Sequence, residues 1–166
     1  MAKINVLVVE DESIVSKDIQ HSLKKLGYNV VGSSSTGEKA IELAAEFKPD
    51  IVLMDIMLKG ELTGIEAAEA IRKANKIPVV YLTAYADEGT LAKAKVTEPY
   101  GYIIKPFKEI DIHTSIEMAI YKHQKETEVL KERDLLYSLV ENKDTRDFIF
   151  VKSNSRLIKL KTSDLY

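Results

Sequence analysis

Apolar runs and spaced apolar positions alternate along the first two thirds of the chain. Ile4 to Val9 is mostly apolar and rich in β-branched residues, which reads as a strand buried on both faces. Ser13 to Leu26 changes period: Val15, Ile19, Leu23 and Leu26 fall on one helical face, and Gly27 suits a C-terminal stop. Tyr28 to Gly32 reads as a second strand. Thr36 to Phe47 reads as a second helix, with Ala40, Ile41, Ala44 and Phe47 at helical spacing and Pro49 past its end. Ile51 to Met54 is a third apolar strand that runs into Asp55 and a glycine-bearing loop. Ile65 to Ala74 is a third helix, Ile77 to Leu82 a fourth strand and Asp87 to Val96 a weaker fourth helix. Tyr102 to Ile104 is a fifth strand, closed by Lys105-Pro106. Strands that alternate with helices predict an α/β fold, a doubly wound five-stranded parallel sheet with right-handed crossovers.

In such a sheet, ligands sit beyond the carboxyl ends of the strands, near the switch in strand order. The polar residues at those ends are therefore the candidates. The first strand ends in Glu10, Asp11 and Glu12, the third in Asp55, the fourth in Thr83 and the fifth in Lys105. Each has a plain structural reading on its own. An acid after a strand is commonly a helix N-cap or a solvated turn, and Glu12 suits the first turn of a helix by charge. Together they match the needs of phosphoryl transfer. A hard divalent cation takes carboxylate oxygens, and an aspartate can accept a phosphoryl group covalently. The transferred group spreads charge over three oxygens, which a cation, an ammonium and a hydroxyl can each meet.

Composition narrows the picture. Lys and Arg total 24 against 26 Asp and Glu, a net charge of −2, so the chain as a whole offers no basic field for nucleic acid. Cysteine is absent, which excludes disulfides, thiolate zinc sites and cysteine nucleophiles. No apolar run approaches a membrane span, and the N-terminus is too polar for a signal peptide, so a cytoplasmic protein is expected. His21, His113 and His123 are scattered without metal-ligand spacing.

The segments VLVVEDE, IVLMDIML, VVYLTAY and YGYIIKPF resemble the signature blocks of response-regulator receiver domains, and the match covers residues 3 to 122. The resemblance implies a flavodoxin-like receiver fold. It implies that Glu10, Asp11 and Asp55 hold Mg²⁺ with the backbone carbonyl of Met57, and that Asp55 accepts phosphate from a sensor histidine kinase. It further implies that Thr83 and Lys105 read the phosphoryl oxygens, that Tyr102 is the switch aromatic, and that the Lys105-Pro106 bond is commonly cis. Met57 and Tyr85 would flank the approach of a hydrolytic water and shield it. The loop MLKGELTG departs from the family pattern: it lacks a proline after the acceptor strand and is one residue long before Gly64. Glu10 also stands where aspartate is more common.

A haloacid-dehalogenase-type phosphatase uses a similar aspartate, but it needs an acid two residues after the nucleophile. Met57 occupies that position and cannot donate a proton. The chain therefore reads as a signalling domain and not as an enzyme. A pseudo-receiver would lack the acceptor or the lysine, and both are present.

The organisation expected is a receiver over 1–122, a linker helix over 123–145 and an incomplete output-domain fragment or tail over 146–166. Residues 109 to 142 contain neither Pro nor Gly, so the fifth helix should continue past the sheet. Ile112, Ile116, Ala119, Leu130, Tyr137 and Val140 mark an imperfect seam, interrupted by His123, Glu126 and Arg133, which reads either as a solvated helix or as a two-stranded coiled coil. A homodimer through this helix, or through the face of the fourth helix, fifth strand and fifth helix, is expected. The tail RDFIFVKSNSRLIKLKTSDLY reads as a β-hairpin and resembles the opening strands of a LytTR-type DNA-binding domain. DNA contact would then need an output domain that this chain does not complete, and the alternative is a stand-alone receiver acting through protein contacts.

Overall fold

The structure is a computed structural model that describes residues 3–84 and 88–146, with side chains to residue 140. Five strands alternate with five helices: β1 (Asn5–Val9), α1 (Ser13–Lys25), β2 (Asn29–Ser34), α2 (Gly37–Phe47), β3 (Ile51–Asp55), α3 (Gly64–Asn75), β4 (Val79–Thr83), α4 (Glu88–Val96), β5 (Gly101–Ile104) and α5 (Glu109–Arg146). The strands form one parallel sheet in the order β2-β1-β3-β4-β5. This is the flavodoxin-like receiver fold, and its order reverses between β1 and β3. The two adjacent strands leave their carboxyl ends side by side, with Val9 opposite Met54.

β3 and β4 are buried along their whole length, which is why they read as continuous apolar runs. Alternate side chains feed two cores. Val52, Met54, Val79 and Tyr81 pack on one face with Ala40, Ala44, Ala67, Ile71 and Ala94 of α2, α3 and α4. Ile51, Leu53, Val80 and Leu82 pack on the other with Ile19 and Leu23 of α1 and Ile112, Ile116 and Ala119 of α5. The last three residues are therefore receiver core, and they do not belong to a seam between protomers. Phe47 is also not on the buried face of α2; it is 45% exposed at the end of that helix.

Local chemistry sets the helix ends. Thr36 caps α2 through its side chain, and Thr63 and Glu66 form a capping box at the start of α3. Gly27 takes a φ of +95° after α1, where a side chain would be strained. Lys48 and Lys76 close α2 and α3 in the same left-handed region, so Pro49 follows a stop already made. The Lys105-Pro106 bond is cis. α5 runs 38 residues, and two units divide between His123 and Gln124. The hairpin expected over 146–166 lies outside the described residues, apart from Arg146 at the end of α5. Among the described residues no helix is long and apolar enough to cross a membrane.

Tyr28 ties the start of β2 to α5. Its hydroxyl donates to Glu117 Oε2 at 2.7 Å and lies 2.9 Å from His113 Nδ1. Burial and the neighbouring Glu117 carboxylate hold its hydroxyl above the ordinary tyrosine value of 10.0. The folded state thus keeps a proton that the unfolded chain releases, so stability is intact below 10.0 and falls as pH rises beyond it. Chemical denaturation on either side of pH 10 should show the wild type losing stability by about 1 kcal/mol per pH unit more steeply than Tyr28→Phe. Identical slopes for the two proteins would remove Tyr28 as the titrating group.

Candidate functional site

The two central strands bring the acids together. Glu10 follows β1 and Asp55 ends β3; they are 2% and 5% exposed. Asp11 is half-buried beside them. One carboxylate oxygen from each of Glu10, Asp11 and Asp55 lies within 4.8 Å of the others. Three carboxylates this close repel one another unless a cation joins them.

Lys105 supplies one positive charge from the far side of the sheet. Its Nζ donates to Glu10 Oε1 at 2.7 Å and to Asp55 Oδ2 at 3.2 Å. The lysine side chain is 15% exposed, so the pair is shielded from water. Burial alone would lower the Lys105 ammonium, but its bond to Glu10 and the charge of Asp55 prevail and raise it. Burial raises the Glu10 carboxyl, and Lys105 offsets that only in part. The remaining oxygens have main-chain donors: Glu12 N–H reaches Glu10 Oε2 at 3.1 Å, and Met57 N–H reaches Asp55 Oδ1 at 3.0 Å.

Main-chain bonds fix the geometry. Lys105 N–H donates to Thr83 O at 2.8 Å, and Ile56 N–H donates to Leu82 O at 3.1 Å. Thr83 is 4% exposed at the end of β4, between the acidic cluster and β5. Tyr102 sits directly opposite Tyr81 across the β4–β5 pair, with ring centroids 6.0 Å apart, and it is half-buried. Burial raises its hydroxyl above the ordinary tyrosine value.

The sequence reading did not foresee how the acceptor loop is held. A Cβ on Gly64 would collide with the backbone carbonyl oxygen of Asp55, so only glycine lets α3 start there. Gly64 N–H donates to Ile56 O at 3.0 Å. The extra residue in the loop is taken up against α2: Lys59 pairs with Thr36, Gly60 turns with a φ of +97°, and Glu61 N–H donates to Glu38 Oε2 at 3.3 Å. The spacing of Gly64 from Asp55 was the available signal for the first contact; nothing in the sequence pointed to Glu38. Met57, expected to flank the approach of a hydrolytic water, has a side chain that is 73% exposed. Tyr85 lies outside the described residues.

All the donors in the cluster are carboxylate oxygens, and one lysine against three carboxylates leaves two formal negative charges uncompensated. That set fits a hard divalent cation such as Mg²⁺. An acidic oxygen pocket with a bridging lysine thus lies at the switch point of the parallel sheet. Comparison with known proteins places the chain further. The response regulator receiver domain matches residues 6–117, and the chain belongs to that family. It is 33% identical over 144 residues to the transcriptional regulatory protein PdtaR of Mycobacterium tuberculosis, covering 87% of this chain and 68% of that protein. It is 31% identical over 120 residues to the phyllosphere-induced regulator PhyR of Methylorubrum extorquens, covering 72% of this chain and 44% of that one. Among solved structures it resembles the signal receiver domain of a modulated diguanylate cyclase from Desulfovibrio desulfuricans, with a TM-score of 0.73 and 38% identity over 75% of this chain and 99% of that chain. The domain is thus a two-component signalling module.

Removing the lysine should expose the repulsion. Lys105→Ala is expected to lose about 3 kcal/mol of stability at neutral pH, since it leaves buried carboxylates without a counter-charge. Added Mg²⁺ should restore part of that loss. Acidification toward 4.5, the ordinary glutamate value, should shrink it, because burial raises the Glu10 carboxyl and loss of Lys105 raises it further, so the proton is taken up above that pH. Urea unfolding with and without Mg²⁺ reads this directly; a deficit indifferent to both acid and Mg²⁺ would mean that charge is not its cause.

Proposed function

We propose that Asp55 accepts a phosphoryl group from a sensor histidine kinase in a Mg²⁺-dependent reaction, and that this event switches an output surface. The observation that carries the reading is the interlock of Glu10, Asp55 and Lys105 at the switch point of the sheet. Glu10, Asp11 and Asp55, with the backbone carbonyl of Met57, are the residues that would hold the ion. A bound divalent cation supplies neutralisation of the charge that gathers on the phosphoryl oxygens. An Asp55 carboxylate oxygen forms the new bond to phosphorus as the phosphorus–nitrogen bond of the kinase phosphohistidine breaks. The bonding pair leaves with the imidazole nitrogen. Lys105 has three N–H donors, of which Glu10 and Asp55 engage two, and it steadies the incoming oxygens together with the Thr83 hydroxyl. Tyr102, one strand over from Thr83, is the aromatic group that follows its movement.

The same reading makes the chain part of a cytoplasmic transcription regulator, with DNA met only through an output domain. Intact-mass measurement after incubation with acetyl phosphate and Mg²⁺ tests the acceptor. Wild type should gain one phosphoryl group and Asp55→Asn none, and chelation of Mg²⁺ should abolish the gain. Persistent phosphorylation of Asp55→Asn would sink the assignment, and a wild type that stays unmodified would favour a pseudo-receiver.

A second observation favours self-association through the linker helix. Past the core, α5 shows Val129, Leu135, Leu136, Leu139 and Val140 between 49% and 63% exposed. A helix with that much bare apolar surface is stabilised by a partner. A second copy in parallel register would bring Glu128 of one helix near Arg133 of the other, five residues on, where coiled-coil flanking charges pair. Sedimentation of the wild type should show a dimer, and Leu136→Glu should shift it at least tenfold toward monomer. A wild-type monomer at high concentration would overturn this reading.

A further inference from the structure

The buried positions of α4 and of the turn after it lie toward its C-terminal end. Only Ala94 of this helix is buried, and Val96 is 75% exposed. Thr97, the next residue, is 5% exposed and makes the tie. Its hydroxyl donates to Ala94 O at 2.6 Å. With its proton committed there, it accepts from the Tyr81 hydroxyl, also at 2.6 Å. The result is a buried run from the Tyr81 hydroxyl to the Thr97 hydroxyl to the Ala94 carbonyl, in which each bond polarises the next. Burial pushes the Tyr81 hydroxyl up to about 12, so it remains a donor at working pH.

Other contacts secure the same end. Thr97 N–H and Glu98 N–H close the last turn on Ala94 O and Lys95 O, at 3.1 Å and 3.0 Å. Glu98, at a φ of +54°, turns the chain away and pairs with Arg72 of α3 at 3.2 Å. Tyr81 belongs equally to the other side of the system. It stands two residues before Thr83, on the same face of β4, and directly opposite Tyr102.

We propose that Tyr81 and Thr97 are positioning residues that make the C-terminal end of α4 a fixed pivot, so that activation displaces its N-terminal turns and leaves the last turn seated. The inference rests on Asp55 being the activating site, as read above. An apolar residue at position 81 would fill the core equally well, yet a hydroxyl is buried there at the cost of desolvation and is matched by one partner on α4. The bond therefore specifies where α4 sits on the sheet, and the tie lies at the end of the helix farther along the chain from Thr83.

Hydrogen exchange on the full chain, with and without beryllofluoride and Mg²⁺, tests the pivot. Without beryllofluoride, Tyr81→Phe keeps the ring and removes the donor, so exchange at residues 94–98 should rise about fivefold to tenfold. Thr97→Val should do the same and Thr97→Ser should not. With beryllofluoride, the wild type should change at residues 88–93 and hold at 94–98, whereas Tyr81→Phe should respond along the whole helix. Unchanged exchange at 94–98 in both Tyr81→Phe and Thr97→Val, or a wild type that responds equally at both ends, overturns the proposal. Exchange in β1 and β3 reports whether a variant has lost its fold, and the conservative Thr97→Ser then decides. A wild type unresponsive everywhere overturns the Asp55 reading and the pivot with it, while the tie itself is judged by the arm without beryllofluoride.

Discussion

The pocket depends on one lysine reaching across a sheet. Glu10 and Asp55 are neighbours because β1 and β3 are neighbours, and burial makes their proximity expensive. Lys105 comes from the opposite edge, and it can reach them because its own N–H is pinned to Thr83 O at the end of β4. The register of three parallel strands is thus encoded in one ion-paired cluster. A slip of one residue in any of them would turn the corresponding group to the other face. Removal of Lys105 would leave a charge deficit that another cation could fill, and that is what makes the cluster responsive to the charge of its ligands.

The loop after Asp55 carries the second constraint. α3 begins against the backbone of Asp55, so close that Gly64 has no room for a side chain. The capping box of Thr63 and Glu66 fixes the entry to that helix, while the contacts of Lys59 and Glu61 with the start of α2 fix the other side of the loop. Asp55 therefore sits between two anchored segments. Its carboxylate is oriented by the Met57 N–H and by Lys105. Pre-positioning of this kind would suit the role proposed for Asp55, because phosphoryl transfer is mostly a matter of placement and charge.

Much of this was legible in the sequence, for physical reasons that differ from element to element. Fully buried parallel strands such as β3 and β4 have no polar face to confuse the pattern, so their existence was plain. Their ends were less so: β4 begins at Val79 because Ile77 and Pro78 precede the ladder, and β3 extends to Asp55 because its main chain still pairs there. The candidate residues were readable because they follow the apolar runs directly. Their pairing was not: Glu10 could be read as a metal ligand, but its bond to Lys105 joins residues 95 positions apart. The same distance problem hid the fate of α5. Ile112, Ile116 and Ala119 show the helical spacing of both a core face and a dimer seam, and only the packing against β1, β3 and β4 separates them.

The core divides into two layers that hold different helices. Thr83 shares a face of β4 with Tyr81, and the layer on that face holds Ala94 of α4 and the partly buried Tyr102. α5 belongs to the opposite layer, where Ile112, Ile116 and Ala119 meet apolar side chains of β1, β3 and β4 with Tyr28 tied to Glu117 at the rim. The buried apolar contribution of α4 to its own layer is a single alanine. α4 buries one side chain, Ala94, whereas α5 buries Ile112, Ile116 and Ala119 against the sheet.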